Sequence, residues 1–228
     1  MNELEKKLIE KMISQSTNSY QIFADFCRCS VYAVNSQVDM LNSSDWNEKY
    51  IQVINSYDKS INIADKFSEM FALLCMCIEQ EPFSDVLGRV YMNLEVSSGK
   101  LGQFFTPQHI ANLTSKLSFD KKQVEQNIED KGFITLNESC SGGASLILGF
   151  AKAMQESGYS PHKYLLVLAN DLDEMCVNMT YLQLALNDIS AIVTRGNALN
   201  KDIRSIYYTP IYFDNYFKFK KFRRCEKV

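Results

Sequence analysis

The sequence predicts an α/β protein in which an open, largely parallel sheet occupies the second half and an all-helical region precedes it. Three observations predict this. No glycine occurs before Gly88, and apolar residues up to about residue 95 recur at helical spacing. Beyond residue 130, short apolar runs alternate with amphipathic stretches, as they do where parallel strands are joined by crossover helices. Between the two comes Leu136-Asn137-Glu138-Ser139-Cys140-Ser141-Gly142-Gly143-Ala144, an apolar run that ends in an acid and a small-residue turn.

The elements follow in order. Leu4, Leu8, Ile9, Met12 and Ile13 define a first helix, and Ile22, Phe23, Phe26, Cys27 and Val31 place a stripe on a second, over 20–38. Asn42-Ser43-Ser44-Asp45 caps a short helix through Tyr50, Val53 and Ile54, and Phe67, Met70, Phe71, Leu74 and Ile78 mark a longer one over 61–78. From 83 to 107 the character changes: Gly88, Gly99, Gly102 and Pro107 punctuate it, and 97–100 reads as an exposed loop. A helix is expected over 108–117, with Thr106 as N-cap and Pro107 in its first position, then a charged linker or helix over 120–130. The remainder reads as strand 133–137, helix 144–157, strand 164–170, helix 173–187, strand 190–195 and a weaker element after Leu199. The expected boundary separates a helical region, 1–95, from a sheet domain, 96–228.

Composition narrows the function. With 46% hydrophobic and 22% charged residues the chain is ordinary for a globular protein, and no apolar run approaches the roughly 20 residues that span a bilayer. The charged N-terminus is no signal peptide, which points to the cytosol. Seven cysteines in an odd, scattered set, two pairs of them C-x-C, read as reduced thiols; with only His109 and His162 to join them, no metal site is expected. Net charge is −3, against a generally basic nucleic-acid binder. Residues 201–228, however, carry eight Lys/Arg against three Asp/Glu. That tail is either a solvated end or a seat for phosphates.

The strand that delivers Glu138 to its carboxyl end, two glycines that let backbone approach a ligand, and a following helix with free N–H groups are the parts of a nucleotide-type pocket. The buried run 164–169 ends on Asn170-Asp171-Leu172-Asp173. An acid there accepts hydrogen bonds from ribose hydroxyls, although either aspartate could instead start the next helix. Asn197, after the third strand, has both a donor and an acceptor for an adenine edge; alone it would be a turn. Phe104 and Phe105, in Gly102-Gln103-Phe104-Phe105-Thr106-Pro107, either meet a ligand or pack in the core.

Taken together, these segments resemble the N6-adenine DNA methylase family, the modification subunits of type I restriction systems and their small relatives on phages and mobile elements. The Gly-Gln-Phe-Phe-Thr-Pro match is the specific one; the acidic strand ends and turns support it. The resemblance implies a partial Rossmann-like methyltransferase sheet that binds S-adenosylmethionine. Phe104, Phe105, Thr106 and Pro107 would line its methionine and adenine sides, Glu138 and Gly142-Gly143 its amino-acid end, Asp171 its ribose and Asn197 its adenine. Cys140 and Leu172 would complete the cofactor-binding set. DNA and a specificity or other restriction-modification subunit are the implied partners. Four departures stand out: Ser139 in the usual proline position, Ala144 where a further glycine often falls, Asn197 for aspartate, and no Asn-Pro-Pro-Tyr/Phe motif to hold a flipped adenine. Thr209-Pro210-Ile211-Tyr212-Phe213 offers one proline and aromatics in about the right region, and Asp214-Asn215-Tyr216 an Asn without prolines. No catalytic residue is therefore assigned. The alternative is a catalytically inactive module that binds S-adenosylmethionine or a partner; a small-molecule methyltransferase is a weaker third reading.

Overall fold

The computed structural model describes residues 2–15, 18–98, 105–200, 202–216 and 218–219. They fall into two units, one of Met1–Glu81 with Val86–Phe105, the other of Pro82–Asp85 with Thr106–Val228. The chain thus interleaves at 82–86, where the sequence pattern suggests a single boundary near 95.

The first unit is helical: α1 (Glu3–Ile13), α2 (Ser19–Val38), α3 (Ser43–Asn55), α4 (Ile63–Gln80) and α5 (Val86–Ser98). A capping box starts α1, with Asn2 Oδ1 accepting from Glu5 N at 2.8 Å and Glu5 Oε2 accepting from Asn2 N at 3.1 Å. Leu8 and Met12, Ile22, Phe23 and Phe26, Met70 and Leu74, and Val90 are fully buried, one set from each of α1, α2, α4 and α5. Glu5, also buried, receives the Arg89 guanidinium at 2.9 Å from Nε, so the charge of α1 is paired inside the bundle. Helix α5 falls largely within the expected helical region 1–95 but is not expected as an element of its own, because Gly88 resembles punctuation; burial of Val86, Leu87, Val90 and Tyr91 overrides that weak propensity.

The second unit contains α6 (Gln108–Ser118), α7 (Lys121–Lys131), β1 (Ile134–Glu138), α8 (Ser145–Glu156), α9 (Pro161–Tyr164), β2 (Leu165–Asp171), α10 (Glu174–Leu186), β3 (Ser190–Asn197), β4 (Asp202–Tyr208) and α11 (Pro210–Asp214). The sheet order is β1-β2-β3-β4, with the first three strands parallel and β4 antiparallel to β3. This is the expected α/β architecture, and the weak element after Leu199 is β4. Val193 lies opposite Tyr207, whose ring meets Tyr181 of α10 at 5.9 Å. Their neighbours Ile192 and Tyr208 turn the other way, onto a cluster of Phe133, Leu166, Tyr212 and Phe219. Helix α6 lies close on α8: a Cβ on Gly149 would come within 2.8 Å of Ser115 Oγ and 3.0 Å of the Ala111 carbonyl oxygen.

Thr106 does not cap α6. Pro107 is the N-cap residue, its ψ of 139° being extended, and the helix begins at Gln108. The fold confirms the alternative role of Asp173, whose Oδ1 accepts from Met175 N at 2.8 Å and Cys176 N at 3.1 Å to start α10. Of the basic tail, residues 202–216 and 218–219 are described, but six of its eight Lys/Arg are not, so the phosphate-seat reading lies outside the described residues. So does Phe104.

Candidate cofactor-binding site

Glu138 ends β1, Asp171 ends β2 and Asn197 ends β3, so all three lie at the carboxyl rim of the parallel strands. Register sets Glu138 beside Ala169, with Asp171 two residues further along its strand and beside Arg195. Glu138 is half-buried. Its Oε1 accepts from Cys140 N at 3.2 Å, and Oε2 takes no hydrogen bond among the described residues.

The turn between β1 and α8 is held from beneath and from the side. Gly142 adopts φ +53° and Ala144 φ +71°, both left-handed. Ala144 thus occupies a backbone conformation that favours glycine, which is the physical content of the expected further glycine at that position. Gly142 N donates to Asp171 Oδ2 at 2.9 Å, and Asp173 N donates to Asp171 Oδ1 at 3.0 Å. Asp171 therefore ties the turn to the start of α10. Each oxygen that accepts one amide retains a lone pair for a hydroxyl donor.

Asn197 Oδ1 accepts from Leu199 N at 3.0 Å, closing a turn with the acceptor that sequence reasoning offers to adenine; its amide donor is not used there. Leu172 is 54% exposed on the rim beside Asp171, and Cys140 is exposed on the turn. Phe105 belongs to the first unit, where its ring meets Tyr91 edge-on at 5.0 Å, and Thr106 and Pro107 are exposed at the start of the second.

Asn170 is the residue sequence reasoning passes over. Its Nδ2 donates to the carbonyls of Ser139 and Gly196, both at 3.1 Å, its Oδ1 accepts from Thr194 Oγ1 at 2.9 Å, and its carbonyl accepts from Ser141 N at 2.9 Å. One side chain thus stitches the ends of all three parallel strands. The only sequence signal was a polar residue closing an apolar run. Gly196 is equally structural: a bulge follows Arg195, and a Cβ on Gly196 would lie 2.2 Å from the Asp202 carbonyl oxygen.

The region expected to approximate the missing adenine-holding motif lies elsewhere. Thr209 N donates to the Ala191 carbonyl at 3.1 Å, and Thr209 Oγ1 donates to the Ile189 carbonyl at 2.7 Å while accepting from Ala191 N at 2.8 Å. These contacts are at the start of β3, six residues and about 20 Å of extended strand from Asn197. Tyr212 is in the core and Asn215 Nδ2 donates to Ser190 Oγ at 3.1 Å. Antiparallel β4 carries the chain back to the end of the sheet opposite the rim. Nearness along the chain therefore misplaces this segment.

A family model described as N-6 DNA Methylase matches residues 82–215, more than half of the chain. The chain belongs to the N-6 DNA methylase family. The match begins at Pro82, where the chain first enters the second unit, and covers every residue of the rim. Among solved structures the chain is similar to the methyltransferase subunit of a type I restriction-modification system from Streptococcus thermophilus. The two share 18% identity and a TM-score of 0.45 over 87% of this chain and 40% of that one. The chain thus spans well under half the length of that relative. No curated protein matches it. No group of three or more His, Cys, Asp or Glu side chains that could hold a metal occurs among the described residues, and none of their helices is long and apolar enough to cross a membrane.

Proposed function

We propose that the second unit binds S-adenosylmethionine at the carboxyl rim of β1–β3, as the cofactor-holding part of a DNA adenine-N6 methyltransferase of the restriction-modification type. The observation that carries this is the convergence of Glu138, the Gly142–Ala144 turn and Asp171 on one rim, with Gly142 N bonded to Asp171. The donor set fits the cofactor. Among the described residues one carboxylate oxygen of Glu138 meets no donor, and it suits an ammonium group. Asp171 retains acceptor capacity for ribose hydroxyls, and exposed Leu172 suits the face of an adenine ring. When bound, the cofactor would supply an electrophilic methyl for an exocyclic amine; the chain's own part is to orient it and keep water out. DNA, and a specificity or other subunit that supplies the adenine-holding groups, are the proposed partners in the cytosol.

A second reading, a module that binds the cofactor without performing transfer, is favoured by one observation: the Thr209–Phe213 segment is committed to the opposite end of the sheet. Calorimetry of the full chain with S-adenosylmethionine tests the shared part, with micromolar binding expected; no binding at millimolar ligand removes both readings. A methyl-transfer assay on adenine-containing duplex, with and without co-encoded subunits, separates them. Transfer by the chain alone retires the second.

A further inference from the structure

Beneath the glycine turn lies a polar column that neither the motif reading nor the proposed cofactor contacts include. Thr180 and Gln183 of α10 and Asn187, its C-cap residue, follow one another at i, i+3 and i+7, and all three are buried. Thr180 Oγ1 lies 3.0 Å from the Gly142 carbonyl oxygen. Gln183 Nε2 donates to the Gly143 carbonyl and, at 2.8 Å, to Asp85 Oδ1. Asn187 Nδ2 donates to the Gln183 carbonyl at 2.7 Å, and its Oδ1 accepts from Phe83 N at 2.8 Å. The column therefore grips both the turn and the 82–85 segment.

Asp85 is 3% exposed, and its carboxylate is pressed against the turn. A Cβ on Gly143 would stand 3.1 and 3.2 Å from its two oxygens and 3.3 Å from Met179 Cε. Gly143 has no positive φ, so its lack of a side chain answers to this close approach and not to backbone strain. A buried carboxylate is costly unless its surroundings donate to it. One donor here is the amide that also fixes the Gly143 peptide, so the two contacts hold one another in place.

We propose that Asp85, acting through Gln183, is a positioning residue for the cofactor: it sets the orientation of the Gly142–Gly143–Ala144 backbone that the ligand would meet. This deepens the cofactor reading given above and rests on it for its ligand. The clamp itself does not, because it can be read without ligand.

The test uses the full chain with Gln183→Met, which keeps length and removes both donations, and the pair Asp85→Leu and Asp85→Asn, similar in shape but without and with an acceptor oxygen. Amide hydrogen exchange is measured first. Exchange at 142–144 should accelerate by about tenfold or more in Gln183→Met and Asp85→Leu, while β3 amides keep their protection, since a local opening releases only its own segment. Unchanged exchange at the turn, or uniform loss across the sheet, overturns the clamp, the second outcome marking a merely structural role. Titration with S-adenosylmethionine follows: affinity should fall about tenfold in the same two variants and largely recover in Asp85→Asn. A loosened turn with undiminished affinity overturns the positioning claim. Failure of the unmodified chain to bind removes the cofactor reading and with it the positioning claim, while leaving the clamp standing on exchange. Should Gln183→Met or Asp85→Leu not fold, Asp85→Ala, which removes the acceptor without adding bulk, carries the exchange measurement: acceleration confined to 142–144 supports the clamp, and none overturns it.

Discussion

Two strand-to-helix junctions of the second unit each set a small or polar residue ahead of a helix and are built to opposite ends. The junction after β1 is Ser139 to Ala144; the junction after β4 is Thr209-Pro210. In the first, the restraints come from below and behind, from Asp171, Thr180 and Gln183, and Glu138 and Cys140 remain at the surface. In the second, Thr209 turns inward. The Thr209 hydroxyl both donates and accepts within the sheet, and Tyr212 packs with Tyr208 at 5.1 Å and Phe219 at 5.8 Å. A small or polar residue followed by a helix is therefore no evidence of a site. What matters is whether its polar groups are consumed by the fold or displayed by it.

The largest effect that could break this contrast belongs to the second junction. Tyr212→Ala removes a buried ring from the Phe133–Leu166–Phe219 cluster and should cost about 3–5 kcal/mol in denaturant unfolding. Cofactor affinity of the molecules that remain folded should be unchanged. Loss of methyl transfer or binding with stability intact would mean that Tyr212 works on a ligand, and the two junctions would no longer differ.

The fold was legible to the extent that its determinants are local. The apolar runs at 134–138 and 165–171, and the stripes on α1, α2 and α4, appear as strands and helices because period and length state them outright. Helix α5 was legible only as part of a helical region 1–95 and not as an element with its own bounds, since Gly88 reads as a break until burial is known. Nor was the capture of 82–85 by the second unit, which depends on Asn187 reaching Phe83 across a separation of 104 residues. At the site, Glu138, Asp171 and Asn197 could be placed on one rim from strand ends alone. Their hydrogen bonds could not. Asn170 and Gln183 were invisible because a polar residue within an apolar stretch has no signature for a partner that lies on another element.

Asn170 gives the next effect in size, at the first junction. Asn170→Ala deprives the Ser139 and Gly196 carbonyls of their donor and Thr194 of an acceptor. About 2 kcal/mol of stability should be lost, together with cofactor affinity. An affinity that survives the lost stability would show that the rim holds its shape without this stitch.

Glu138→Gln should separate function from fold more cleanly still. Among the described residues the side chain makes one hydrogen bond, within its own turn, which the amide oxygen can keep, so stability should move by less than about 0.5 kcal/mol. The lost charge should weaken S-adenosylmethionine binding by roughly ten- to hundredfold in calorimetry, the usual range for a hydrogen bond to a charged group. Equal affinity in the variant would take Glu138 out of the proposed site.

Ala144→Gly sharpens the comparison at its finest scale. Ala144 is fully buried with φ +71°; its N donates to the Ser141 carbonyl at 2.7 Å, and its carbonyl accepts from Leu148 N at 2.9 Å. Three terms compete. Relief of the left-handed strain is worth about 1–2 kcal/mol, loss of a buried methyl costs about 0.8 kcal/mol, and the added freedom of glycine in the unfolded chain costs about 0.5–1 kcal/mol. They nearly cancel, so thermal unfolding should shift by the equivalent of less than about 0.5 kcal/mol. Ala144→Val adds a β-branch to the same conformation and should destabilise by at least about 2 kcal/mol. If instead valine were tolerated, the backbone at 144 would not be left-handed. The turn would then lose the shape on which its difference from the Thr209-Pro210 junction depends.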